Sequence, residues 1–217
     1  MVETAAVRRR LAPDRETLLY GALLVNGEVA LVLVYYAFAS AVPTDAVFLA
    51  YPLVWVNVAA WSVTRVDFPD ASKRARWLAA AVGVAYFLLL GGVGGLYHLG
   101  GMGLGADIRW LPPGWGPAVV YSGTALTVSL FPFKVVGYAA LAYLVAATVV
   151  DASGRGLAGL LGLFSCVSCT WPVAATVLTG VFGSASAAAT VATNQPYALS
   201  TVVFTSSVLL LAWRPRF

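Results

Sequence analysis

The chain is short of charge. Only 10% of its 217 residues are Asp, Glu, Lys or Arg, against roughly a quarter in an ordinary soluble domain. That shortage, with 60% hydrophobic residues, excludes a separate soluble domain and describes a polytopic membrane protein. Histidine occurs once, at His98, which argues against bis-histidine haem. One histidine and two cysteines also fall short of the four ligands zinc prefers. No phosphate-binding loop, metalloprotease motif or Ser/His/Asp set is present. A net charge of +4 does not point to nucleic acid, because the basic residues lie in short segments beside apolar runs, where membrane orientation accounts for them. The partners expected are therefore the lipid bilayer and other membrane proteins, with no nucleic acid.

Six apolar runs are long enough to cross a hydrocarbon layer, for which about 20 residues suffice. They cover about 16–41, 45–65, 77–97, 131–151, 157–181 and 197–213. The expectation is an all-α bundle of six transmembrane helices forming a single domain. A long Gly- and Pro-rich outer loop, 98–130, joins the third span to the fourth. Within it Trp110-Leu111-Pro112-Pro113-Gly114-Trp115-Gly116-Pro117 is stiff and aromatic, suited to the membrane surface or to a partner. Asp14 and Thr44 or Asp45 are helix caps by residue type, and Pro132 suits a first helical turn. A cleaved signal peptide competes for the first run, but the apolar stretch is too long and contains Glu28.

The charges set the orientation. With the N-terminus inside, the inner segments hold Arg8, Arg9, Arg10, Arg15, Arg65, Lys73, Arg74, Arg76, Arg155, Arg214 and Arg216, eleven of the 13 basic residues. The outer segments hold only Arg109, and Lys134 lies within a span. This bias predicts a multi-pass protein of the cell (plasma) membrane with both termini cytoplasmic.

A few polar groups remain at membrane depth. At about 1.5 Å per residue, Asn26, Glu28, Asn57 and Cys169 reach a common layer near the midplane, with Lys134 near the outer end of its span. A carboxylate at bilayer centre costs roughly 2.5–3.5 kcal/mol. Glu28 is therefore expected protonated, paired or beside water; it serves either as a functional carboxylate or as a hydrogen-bonding lock against Asn26, Asn57 or a hydroxyl. Lys134 either snorkels to the outer interface or pairs with Glu28. The glycines at Gly91, Gly92, Gly94 and Gly95 point to close packing.

Cys166 and Cys169 are the only cysteines. Their spacing places both sulfurs on one helix face. Pro172 lacks the N–H that the Ser168 carbonyl expects, so the helix can kink beside them. Three readings stay open: apolar packing residues, a dithiol–disulfide couple, and a pair of thiolates holding a soft ion such as Cu(I). The polar support for either chemistry is Glu28, Asn26, Asn57 and Lys134. No cofactor is specified, and a small-solute permease using Glu28, or a non-catalytic subunit of a larger membrane complex, remain as alternatives.

At Tyr51-Pro52-Leu53-Val54-Trp55-Val56-Asn57, at Pro132-Phe133-Lys134-Val135-Val136-Gly137-Tyr138 and at Ser165-Cys166-Val167-Ser168-Cys169-Thr170-Trp171-Pro172, the chain resembles uncharacterised multi-pass membrane proteins of haloarchaea. That resemblance covers most of the chain and implies no particular activity. The Cys-x-x-Cys helix followed by Pro is similar to helices of thiol carriers and mercuric-ion transporters, which implies thiol or soft-metal chemistry. It covers one helix, with no accompanying soluble redox or metal-binding domain.

Overall fold

The computed structural model describes residues 15–39, 45–154 and 196–212. The chain divides into two compact units, Met1–Val42 and Pro43–Phe217. The first contains helix α1 (Arg15–Phe38). Its side chains, almost all exposed, are apolar around the whole circumference, as expected of a helix solvated by lipid.

The second unit contains α2 (Ala46–Arg65), α3 (Lys73–Val93), a four-stranded sheet, α4 (Pro132–Gly154) and α5 (Pro196–Ala212). Local chemistry sets each boundary. Asp45 caps α2, its Oδ1 accepting from the Val47 N–H at 2.9 Å. Ser72 caps α3 through the Ala75 N–H, so this helix starts four residues before the apolar run does and takes Lys73, Arg74 and Arg76 into its first turn. It ends where the Leu96 N–H bonds the Gly91 carbonyl and Gly95 takes φ +76°, a backbone that suits glycine. Pro132 opens α4, where its missing N–H costs nothing.

α2, α4 and α5 run side by side in one direction and α3 runs against them. Trp55 on α2 meets Phe133 and Tyr138 of α4 and stacks on Phe204 of α5. Nearer the opposite end, eleven residues past Trp55 and five past Tyr138, the Tyr143 hydroxyl donates to the Val66 carbonyl. α3 crosses α4 closely at Gly83, where an added Cβ would stand 3.1 Å from the Ala142 carbonyl oxygen and 3.3 Å from Ala146. Gly137 likewise leaves room for the Trp55 ring.

The expected all-α bundle of six spans is corrected here. Among the described residues four helices are long and apolar enough to cross a membrane: Leu19–Phe38, Ala46–Arg65, Lys73–Val93 and Pro132–Asp151. The run at 197–213 forms a shorter apolar helix, Tyr197–Ala212, and 157–181 lies outside the described residues. The stretch read as the outer loop 98–130 is an antiparallel sheet: β1 (Tyr97–Leu99), β2 (Gly105–Arg109), β3 (Ala118–Ser122) and β4 (Leu126–Leu130), in the order β1-β4-β3-β2. The physical reason is local. Leu126-Thr127-Val128-Ser129-Leu130 alternates apolar and polar side chains, and β3 is rich in β-branched and aromatic residues, both strand signals. The glycines and prolines that suggest a loop occupy the connections.

Register separates the two faces of this sheet. Tyr97 opposes Val128, Leu99 opposes Leu126, Tyr121 opposes both Val128 and Ala106, and Val119 opposes Leu130 and Ile108. Directly opposed residues share a face, so one face is apolar throughout. The other carries His98, Asp107, Arg109, Ser122, Thr127 and Ser129. The β1–β2 connection crosses that polar face: Thr127 donates to the Gly100 carbonyl at 2.8 Å, and Gly101 lies so close to the Thr127 and Ser122 hydroxyls that a side chain there would collide with them.

Candidate functional site

The densest constellation lies where α2, α4 and α5 meet the sheet. It starts from Pro52, inside α2. Proline has no N–H to offer the carbonyl four residues earlier, which belongs to Phe48. The indole N–H of Trp115 donates to that Phe48 carbonyl at 2.8 Å. Gly114, at φ +84°, sits directly on the Pro52 ring, where any Cβ would clash. The aromatic segment 110–117 is thus folded onto the helices at Trp115, which is buried, while Trp110 stays exposed. Trp115 meets Phe133 at 4.8 Å and Tyr197 at 4.7 Å, both edge to face. Below it, the Trp55 indole N–H donates to the Thr201 hydroxyl at 3.0 Å, and its ring lies 4.1 Å from that of Phe204, nearly parallel.

Lys134 borders this cluster. Its ammonium donates to the Gly94 carbonyl at 2.8 Å and stands 5.4 Å from the centroid of Phe131 and 5.9 Å from that of Tyr197. The side chain is half-buried. It therefore bridges the start of α4 to the last carbonyls of α3, where a cation is favoured by the helix dipole, and two ring faces add cation–π attraction. Among the described residues the one ion pair within 4.0 Å joins Arg109 to Asp107 at 3.5 Å, on the exposed strand β2. Chemically, the Lys134 head group holds a helix end and presents a positive charge at the sheet end of the bundle.

The other sequence candidates are placed separately. Asn26 and Glu28 lie on α1; Asn26 is exposed and donates to the Ala22 carbonyl, and Glu28 is half-buried. Asn57 is half-buried on α2 and donates to the Leu53 carbonyl at 2.8 Å. Cys166, Cys169 and Pro172 lie outside the described residues. The midplane layer of Asn26, Glu28, Asn57 and Cys169 thus stays an expectation. No group of three or more His, Cys, Asp or Glu that could hold a metal occurs among the described residues.

Sequence reasoning did not bring Pro52, Trp55, Trp115 and Tyr197 together. The available signal was Pro52 in mid-span: it obliges a carbonyl to find an outside donor.

Architecture and composition define a membrane-associated protein in which a small antiparallel sheet adjoins a bundle of apolar helices. The model of a family of unknown function, DUF7546, matches residues 1–217, and the chain belongs to that family. No curated protein and no solved structure matches the chain.

Proposed function

We propose that the chain is a non-catalytic subunit of a larger membrane complex, multi-pass in the plasma membrane, with Arg65, Lys73, Arg74 and Arg76 on the cytoplasmic side and the sheet outside. The observation that carries this reading is how the bundle interior is used. Trp55, Phe133, Tyr138 and Phe204 fill the space between α2, α4 and α5 ring against ring. Three polar side chains on α2 and α4 donate to the backbone of their own helix, Asn57 to Leu53, Ser62 to Ala59 and Thr148 to Leu144. An interior of packed rings stiffens a scaffold; a permeation path needs polar groups turned toward a wet cavity. The orientation is supported by the basic residues at one end of α2 and α3.

Purification of the tagged full chain in mild detergent, followed by native mass spectrometry, tests this. The expected result is a second polypeptide retained at fixed stoichiometry through successive columns. A chain that purifies alone, and whose Glu28→Gln variant abolishes uptake of a solute by proteoliposomes, sinks the subunit reading in favour of a permease.

A second reading rests on the sequence alone: Cys166 and Cys169, three residues apart in sequence and followed by Pro172, handle electrons as a dithiol–disulfide couple or hold a soft ion such as Cu(I). Native mass and thiol labelling of anaerobically purified protein, with and without reductant and Cu(I), decide it. A two-electron mass shift, or one-to-one metal retention lost in Cys166→Ser and Cys169→Ser, supports the pair; thiols that bind nothing and label only after denaturation reject it.

A further inference from the structure

The sheet leaves its apolar face open. Leu99 is 89% exposed and Ile108 59% exposed, and Val119, Tyr121, Leu126 and Leu130 on the same face are exposed as well. The polar face is the one crossed by the β1–β2 connection. A water-facing sheet places its apolar side chains the other way, and an open apolar face marks a contact with something apolar.

We infer that this face lies on the lipid bilayer, so that the sheet is a monotopic, interface-bound element attached to the transmembrane helices. Three observations select lipid over a protein partner. The first is continuity. Tyr97 belongs to the apolar face, yet its ring lies against Gly91 and Gly92, and its hydroxyl donates to the Leu88 carbonyl, back along α3. The apolar face of the sheet and the exposed apolar flank of α3 around Leu88 are therefore parts of one surface, and α3 is a candidate membrane span. The second is height. The 21 residues of α3 rise about 31 Å, close to the roughly 30 Å of the hydrocarbon core. Three residues, 94–96, separate α3 from β1, and one, Phe131, separates β4 from α4. Those lengths hold the sheet at the interface level. The third is charge. Asp107 and Arg109, flanking Ile108, both project from the opposite face and are well exposed, where water can solvate them. Tyrosines on the apolar face and exposed Trp110 are the residue types that favour the headgroup region.

The test uses the full chain in vesicles of phosphatidylcholine and phosphatidylglycerol. Single cysteines at positions 106, 107, 108 and 109, in a background with both native cysteines changed to Ser, carry a nitroxide. Collision with apolar oxygen is compared with collision with a water-soluble nickel chelate. The expected result is an alternation of period two: labels in Ala106→Cys and Ile108→Cys favour oxygen, and labels in Asp107→Cys and Arg109→Cys favour nickel. Nickel preference at all four positions places the sheet in water and overturns the inference. Suppressed collision with both reagents at 106 and 108 means that a second copy or another protein covers the face, and overturns it equally. The unmodified chain provides an independent reading. A photoactivatable carbene on the lipid acyl chain is expected to label residues in the Leu99, Ile108 and Val119 peptides; label confined to the helices contradicts the proposal.

Discussion

The bundle and the sheet use the same apolar residue types in opposite ways. Between α2, α4 and α5 the large side chains turn inward: Trp55, Phe133, Leu144, Phe204 and Val208 are all buried. In the sheet they turn outward, and Ala118 and Thr127 are the strand residues that are buried. What differs is what surrounds each region. A helix end that rings must seal is packed by protein; a sheet at the bilayer surface has an apolar solvent on one side. Hydropathy alone cannot separate these cases, because burial in protein and immersion in lipid draw on the same residues.

This contrast can be broken from the bundle side first. Trp55→Ala removes the stack on Phe204, two edge-to-face contacts and the bond to Thr201, and should cost about 3–5 kcal/mol, read as a shift in the detergent-unfolding midpoint. Gly137→Leu drives a side chain into the Trp55 ring and should cost about 1–3 kcal/mol by overpacking in the same assay. Trp115→Phe leaves the Phe48 carbonyl without the indole donor, a loss of about 1–2 kcal/mol for a part-buried acceptor left unpaired. Pro52→Ala supplies a helical N–H to that carbonyl, so a double-mutant cycle should show the Trp115→Phe penalty reduced in the Pro52→Ala background; an unchanged penalty would separate the two residues. Lys134→Met removes the donor to Gly94 and two cation–π contacts, for about 1–2 kcal/mol. At the small end, Arg109→Gln on β2 breaks an exposed pair and should change stability by less than about 1 kcal/mol. A large effect there would mean that β2 is held more firmly than its exposure suggests.

Much of the helical part was legible in sequence. The apolar lengths of α1, α2, α3 and α4 match four of the expected spans to within a few residues, because a helix in lipid must satisfy its own backbone and so needs a continuous apolar run. Asp45 as a cap and Pro132 as a first-turn residue follow from donor chemistry that operates within one turn. Lys134 was expected near one end of its span and stands in the first turn of α4, but its acceptor is the Gly94 carbonyl. That carbonyl is forty residues away in sequence, and nothing local singles it out. The sheet was legible in principle from the alternation at 126–130 and was obscured by glycines and prolines in its connections. Span-by-span reading also treats every polar insert as a loop, which is how six helices and no strands came to be expected.

Composition and charge by themselves determined the solvent of this protein: low charge and long apolar runs require lipid around the helices, and the uneven placement of Lys and Arg supplies an orientation to test. Only the tertiary structure decided which apolar side chains meet each other and which stay exposed. It paired Trp115 with the carbonyl that Pro52 leaves open and turned one face of the sheet outward. The reason is range: solvation acts residue by residue and can be summed along a chain, whereas register and ring packing depend on groups brought together from distant positions, and no local pattern encodes their partners.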